Sequence, residues 1–435
     1  MEPREVLAID QIDLSDIQFW LRPLEEREGA FRLLRREQPL PFFDEPKVPA
    51  ELSLVIPQGP GYRAVTRHAD IAEVSRHPEI YQSGKGATSL PDIPEELLEY
   101  VGSLVNTDNP RHAELRRIVS AAFNPRMTKA LENRIEFVAN EIIDRVAEQG
   151  SCDFVVDIAS QLPLQTICDM MGISPADRST VLFVSNVIAG SGNAIVDASD
   201  PEYVPADSDP LVFLMEACNQ LTILMSELAE VRRKNPTDDL TSALVNTNID
   251  GESLSAAEVA SFFILLVVAG NVTTRNAITH GLLALTHHRD QRALWQADPD
   301  RISATGVDEI VRWGSPIIWM RRTVAEDAVL RGEELHPGDK LLLFYSSANR
   351  DEEVFENPYT FDVRRSPNPH LGFGAAGAHF CLGAHLARQE IAVIFRELFQ
   401  RLPDIAACGE PDRLRSTFVN GIKHLDCDFT PVRVT

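Results

Sequence analysis

The chain has 435 residues, 44% of them hydrophobic, and a formal net charge of −24. That length and apolar fraction support a large core, while the acidic balance offers no basic stripe to neutralise phosphates and excludes nucleic acid as a partner. The N-terminal MEPREVLAIDQIDLSD lacks the apolar run of a signal peptide, and the longest apolar run, Phe262 to Gly270, falls short of the about 20 residues of a membrane span, so a cytoplasmic protein without a transmembrane anchor is expected.

Along the chain, Leu14–Glu37 places apolar and charged positions at helical spacing and is ended by Pro39 and Pro41. Tyr62–Thr66 predicts a short strand, and Ala69–Arg76 a helix capped from His68–Asp70. Ser83–Val105, punctuated by Gly, Pro and Ser around one short acidic helix, is long for a loop in a compact protein, and such loops are usually functional. Asp108 and Asn109 can cap the next helix, where Pro110 suits the first turn. That helix carries His112, Arg116 and Arg117, with Arg126 and Lys129 beyond it, a basic cluster that is either a solvated face or a binding surface. Leu131–Gly172 predicts two helices broken at Gly150. Ser185–Asp209 is a second irregular segment, between helical Val181–Ile188 and Leu211–Arg233.

Ser255-Ala-Ala-Glu258 is a capping box that opens an apolar helix, Val259–His288. Apolar on all sides, this helix is expected to cross the core. Ala269-Gly270-Asn271-Val272-Thr273-Thr274 interrupts it. A mid-helix glycine costs about 1 kcal/mol relative to alanine, and the threonines can bond back to carbonyls a turn earlier. A local widening of this kind often marks a functional site. Further on, Glu309 and Arg312 stand at i,i+3 on a helix. Pro316–Met320 followed by Arg321-Arg322-Thr323 reads as a strand pair with an apolar wall and a basic end, Lys340–Ser347 as another strand, and Ser416–Ile422 as a hairpin tip.

The most informative stretch is His370–Phe399. A glycine-rich loop, Gly372–Gly377, leads to Cys381 and then to a helical pattern through Leu386, Ile391, Ile394, Phe395 and Leu398. At such an entry, free backbone N–H groups and the helix dipole favour a thiolate. Gly383 leaves room for a flat, bulky group, and His379 supplies a donor that could face an anion. The six cysteines show no pairing pattern, which suits a reducing compartment. A structural cysteine would need none of these glycines, and a zinc ligand would lack partners beyond His385. Axial ligation of a haem iron gives every feature a task.

The run resembles the haem-binding signature of the cytochrome P450 family. Gly377, His379, Cys381 and Gly383 match it, while Phe373 lies eight residues before the cysteine where the general pattern has seven, so the loop through Gly374 is one residue longer. Ala269–Thr274 resembles the family's oxygen-binding groove, and Glu309-x-x-Arg312, 381 − 312 = 69 residues before the cysteine, resembles its Glu-x-x-Arg pair. The resemblance covers about Trp20 to the C-terminus. It implies a mainly α protein with small β-sheets, one domain over 1–435 (about 1–15 an extension), and haem b between the oxygen-side helix and the cysteine-bearing loop-helix. It further implies that His112, Arg116 and Arg322 bond the haem propionates, that Gly270 admits dioxygen, and that Thr273 holds oxygen and its water through a hydroxyl. Ile317, Ile318, Trp319, Phe418 and Val419 would line the substrate pocket, Ser83–Val105 and Ser185–Asp209 would cover it, and Glu309, Arg312 and Arg365 would be structural. Val272 departs from the pattern, which has a proton-passing carboxylate there. The alternatives are a route through Asn271 and water, peroxide as oxidant, or an impaired oxygen site.

The implied activity is insertion of one oxygen atom into an unactivated C–H bond. Electrons would come from NAD(P)H through a reductase and a ferredoxin docked on the basic helix. SFFILLVVAGN-x-TTRNAITHG, MRRT and PNPHLGFG…GAHFCLGA resemble the actinobacterial methyl-branched lipid omega-hydroxylases, which implies a small apolar lipid hydroxylated at its terminal methyl. A sterol side-chain hydroxylase, a peroxygenase and a haem-bound lipid-binding protein are the other readings.

Overall fold

The computed structural model describes residues 2–48, 56–94, 98, 100, 103–122, 125–191, 199–247 and 254–433, with the side chains of 121–130 outside that description. Apolar residues recurring at the 3.6-residue period make helices the bulk of it: α1 (Leu24–Glu37), α2 (His68–Arg76), α3 (Arg111–Ala122), α4 (Pro125–Val146), α5 (Gln161–Met171), α6 (Arg178–Ser191), α7 (Pro210–Lys234), α8 (Ala256–Leu266), α9 (Thr273–His287), α10 (Pro299–Gly314) and α11 (Ala384–Arg401). The main sheet joins β1 (Phe42–Phe43), β2 (Tyr62–Val65), β3 (Tyr81–Gln82), β4 (Trp319–Val324) and β5 (Lys340–Phe344) in the order β1-β2-β5-β4-β3. β2 and β5 run parallel, Arg63 opposite Leu341, and β5 is buried at every position, as a central strand of Leu and Phe should be. Near the C-terminus Asp412–Arg413 pairs with Ile422–His424, closing a hairpin whose tip is residues 414–421.

Two apolar cores flank the segment between α8 and α9. One gathers Ile278, Leu282, Ile310, Ile394 and Phe395 with residues of α4. The other gathers Leu115, Ile118, Ile167, Val184, Leu221, Phe263 and Val267, and Leu382, beside Cys381, packs onto it. The cysteine loop is therefore seated where both cores meet. By length and composition α7 and the run Ala256–His287 could each cross a membrane, although half of the latter's most apolar window is buried inside the fold, as in a core helix.

Several sequence expectations change in detail. Pro23 divides the first helical segment into Ile17–Trp20 and α1. The expected strand pair is the single strand β4, with Pro316–Ile318 outside it. α2 has no side-chain cap of its own; His68 N–H donates instead to Asp351 Oδ2 at 2.9 Å. Nor does Asp108 cap α3. Its carboxylate accepts from Ser83 N–H and Gly84 N–H, both at 2.8 Å, and so pins the long loop. Most of the acidic helix expected in that loop, part of the segment expected over Ser185–Asp209, and the side chains of Arg126 and Lys129 lie outside the described residues.

The Glu309–Arg312 pair lies within the core beneath the cysteine loop. Both side chains are fully buried, with Arg312 Nε 2.7 Å and Nη2 2.8 Å from the two carboxylate oxygens. Arg365 Nε reaches Oε2 at 3.1 Å, and Asp362 N–H donates to Oε1 at 2.9 Å. The remaining Arg312 donors go to the carbonyls of Asn349, Pro358 and Thr360. A buried ion pair is tolerable only when satisfied in this way.

Candidate active site: a thiol, a basic cradle and a widened helix

Cys381 stands three residues before the first residue of α11, so it lies in the loop and not in the helix's first turn. Its N–H donates to Phe373 O at 3.0 Å, and the Phe373 ring lies 4.4 Å from the Arg388 guanidinium. Gly377 is required by packing: a Cβ there would stand 2.2 Å from the Ser75 carbonyl of α2. Gly374 takes the left-handed φ of +81°. Nothing lies within 4 Å of where a Gly383 Cβ would be, so that flank is open to a flat group. The thiol is solvent-accessible. Its pKa is raised, chiefly by burial, against the Gly383 N–H and the charges of Arg116 and Arg388. The charge of a bound metal would favour the thiolate.

Beside this thiol, four basic side chains converge. The His112 and His379 rings are 4.2 Å apart. His112 is 2% exposed, and its Nε2 is a buried atom without a hydrogen-bond partner. Arg116 donates to the carbonyls of Ala378 (3.0 Å) and Phe380 (2.8 Å), which ties α3 to the cysteine loop. Arg322, from β4, is buried and donates to its neighbour's carbonyl, Arg321 O, at 2.7 Å. Among the described residues no carboxylate bonds any of the four. Burial, then the charges of Arg322, His112 and Arg116, push His379 down to about 2. Burial and Arg116 lower His112 as well, against Asp108. Such a cradle of donors, one of them orphaned, fits the carboxylates of a haem.

On the opposite side, the helix opens as expected. Val267–Val272 is a π turn between α8 and α9, and Thr273 Oγ1 donates to Ala269 O at 2.5 Å. At this turn Ala269 is exposed and Gly270 and Thr273 are half-buried, while Val267, Asn271 and Val272 are buried. Gly270 has a second reason to lack a side chain, since a Cβ would meet Ile167 Cδ1 at 2.7 Å. Asn271 is fully buried and turned towards α6, its Nδ2 donating to Ser185 Oγ at 2.8 Å while Oδ1 has no partner among the described residues. Arg275 likewise reaches α6, at Asn186 Oδ1 (2.8 Å). Val272 is buried with Ala189, Leu414 and Val419, against Ile317, Phe418 and Tyr203.

The five expected pocket residues separate. Ile317, Phe418 and Val419 meet Val272, with Ile317 and Val419 bridged as strands. Ile318 and Trp319, each 2% exposed, are instead packed with Phe19, Trp20, Phe31 and Phe344 and offer almost no surface to any chamber. That differs from their expected role: both are held in the N-terminal core, Trp319 as the first residue of β4 and Ile318 just before it. Trp319 acts from behind, its ring 5.0 Å from that of Phe418 and its Nε1 bonded to Thr417 O at 3.0 Å. Leu414, Tyr203 and Ser75 escaped sequence reasoning, because their roles depend on contacts between segments far apart in the chain.

The sequence profile of the Cytochrome P450 family matches residues 64–403. A methyl-branched lipid omega-hydroxylase of Mycobacterium bovis is 45% identical over 426 residues, 97% of this chain and 96% of its own length. A steroid C26-monooxygenase of Mycolicibacterium smegmatis is 40% identical over 375 residues, 85% of this chain and 84% of that one. A Mycobacterium marinum cytochrome P450 solved in complex with pseudoionone shares 42% identity with a TM-score of 0.89, over 98% of this chain and 100% of that one.

Proposed function

The chain belongs to the cytochrome P450 family of haem-thiolate monooxygenases, and we propose that it hydroxylates the terminal methyl of a methyl-branched lipid, using electrons from NAD(P)H through a reductase and a ferredoxin. Haem, when bound, supplies the oxygen-activating chemistry through an iron ligated by thiolate. The chain supplies the rest. Cys381 is the ligand, and His112, Arg116, Arg322 and His379 would hold the carboxylates. Phe373 and Gly383 fix the sulfur through backbone hydrogen bonds. The Thr273 hydroxyl can exchange its bond to Ala269 O for one to a group on the oxygen side. Val272 carries no exchangeable proton and the Asn271 amide faces α6, so the Thr273 hydroxyl, half-buried at this turn, is the group we assign to hold a proton there.

The observation that carries the substrate reading is the meeting of Ile317, Phe418 and Val419 with Val272 beside Thr273. Such a surface selects an apolar chain end by burial alone. The 45% identity to a branched-lipid hydroxylase supports it, and the 40% identity to a steroid C26-monooxygenase favours a sterol side chain as the second reading. Titrating the ferric protein with a methyl-branched fatty acid should shift the haem band from low to high spin. A shift with a sterol but not with the acid would establish the second reading.

A further inference from the structure

Asp308 precedes Glu309 on α10, but its carboxylate belongs to a different set of contacts. Its Oδ1 accepts from Arg388 Nε, on α11, at 2.7 Å and faces His370 Nε2 at 3.3 Å. His370 Nδ1 accepts from Gly372 N–H at 3.1 Å, so Nε2 carries the ring proton and turns it to Asp308. Burial pushes the Asp308 carboxyl up, yet the bonds from His370 and Arg388 outweigh it and hold the group below the usual carboxylate range. The acid is ionised at neutral pH.

The Arg388 guanidinium also lies over the Phe373 ring, 4.4 Å from its centroid, a cation–π contact. The His370 ring stands 5.7 Å from the same ring. Phe373 in turn carries the carbonyl that accepts from Cys381 N–H at 3.0 Å. The start of this loop is seated on α10, since a Cβ on Gly372 would stand 2.5 Å from Val311 Cγ1. Direct contacts therefore run from one carboxylate, through one guanidinium and one ring, to the backbone that holds the sulfur. The Arg388 and Asp308 side chains are 39% and 30% exposed, and a pair so placed adds little to stability. What distinguishes it is where its charges stand.

We propose that Arg388, held by Asp308 against the Phe373 ring, is a positioning residue that tunes the reduction potential of the thiolate-bound iron, Asp308 offsetting part of its charge. The proposal rests on Cys381 as the iron ligand and not on which lipid is bound. Reduction adds one negative charge at the iron, so a nearby cation favours the reduced state and a nearby anion the oxidised one. The two charges of the pair oppose each other at the iron, and removing either uncovers the other. Loss of Arg388 and loss of Asp308 must then act with opposite sign, which a packing role would not produce.

The test is a redox titration of the haem-loaded protein without substrate. Arg388→Gln should move the ferric/ferrous equilibrium about two- to tenfold towards ferric, a fall of about 20–60 mV at about 59 mV per tenfold for one electron. Asp308→Asn should move it by a similar factor towards ferrous. Arg388→Lys keeps the charge and should shift the potential by less than about half as much as Arg388→Gln. Both sites being partly exposed, each variant should fold with a Tm close to wild type. If Arg388→Gln and Asp308→Asn move the potential the same way, or Arg388→Lys matches Arg388→Gln, the contacts serve packing and the proposal fails. It fails equally if neither charge-removing variant shifts the potential. Slower reduction of Arg388→Gln by a ferredoxin at an unchanged potential would make Arg388 a docking residue and overturn the proposal. A wild-type protein whose reduced carbonyl complex lacks the thiolate-type absorbance would overturn the ligand assignment, and the proposal with it.

Discussion

Two buried clusters of this molecule use the same kinds of side chain and do opposite things. Around Glu309, two arginines face a carboxylate, and each Arg312 nitrogen reaches an oxygen of the protein itself. Around Cys381, two arginines and two histidines are bonded by no carboxylate among the described residues, and there His112 Nε2 has no hydrogen-bond partner. Burial demands pairing in both places. Where the chain provides the acid, the cluster is framework; where it withholds the acid, the partner must come from outside. Glu390 is the mirror case, an acid on α11 with no cation, bonded through Thr166 and pushed by burial up to about 8, so that it is neutral at pH 7.

These contrasts can be broken experimentally. Cys381→Ser should abolish turnover and the thiolate-type absorbance of the reduced carbonyl complex, while circular dichroism keeps the helical signal. Glu309→Gln should strand two buried cations and cost about 3–5 kcal/mol, the usual penalty for removing one partner of a buried pair, read as a large fall in Tm. His112→Phe should spare the stability of the haem-free chain, since it removes an orphan donor, yet speed haem loss about tenfold as one charged hydrogen bond goes; equal damage to both would make His112 structural. Val272→Glu should raise donor-driven turnover several-fold despite a lower Tm, and an unchanged rate and coupling would dismiss the missing proton relay. The smallest effect concerns Glu390. Its folded pKa lies above the unfolded value of about 4.5, so above that pH the folded state holds more protons than the unfolded one. Stability then falls as pH rises from about 4.5 to about 8. Glu390→Gln should flatten that fall in Tm, with little effect below pH 4.5.

Several locally written features were legible in the sequence. The Ser255–Glu258 capping box, the widening before Thr273 and the Glu309-x-x-Arg312 spacing are short-range patterns with a mechanical cause, and each has its expected geometry. Contacts over long distances in the chain were not legible. Nothing in Asp108 says that it serves Ser83 instead of its own helix, and nothing in Ile318 or Trp319 says which core they join.

The loop length around Cys381 has a consequence for how this lineage can vary. Its sulfur is set by two fixtures, the seat of Gly377 on the Ser75 carbonyl and the bond from Cys381 N–H to Phe373 O. The surplus residue falls between Phe373 and Gly377, where Gly374 already turns left-handed and Ala376 is exposed. Slack introduced there is taken up outward, like an expansion joint, and never reaches the sulfur. A lengthened or shortened segment 374–376 should therefore keep the same axial ligand geometry, whereas one residue added between Gly377 and Cys381 would throw the ligand out of line.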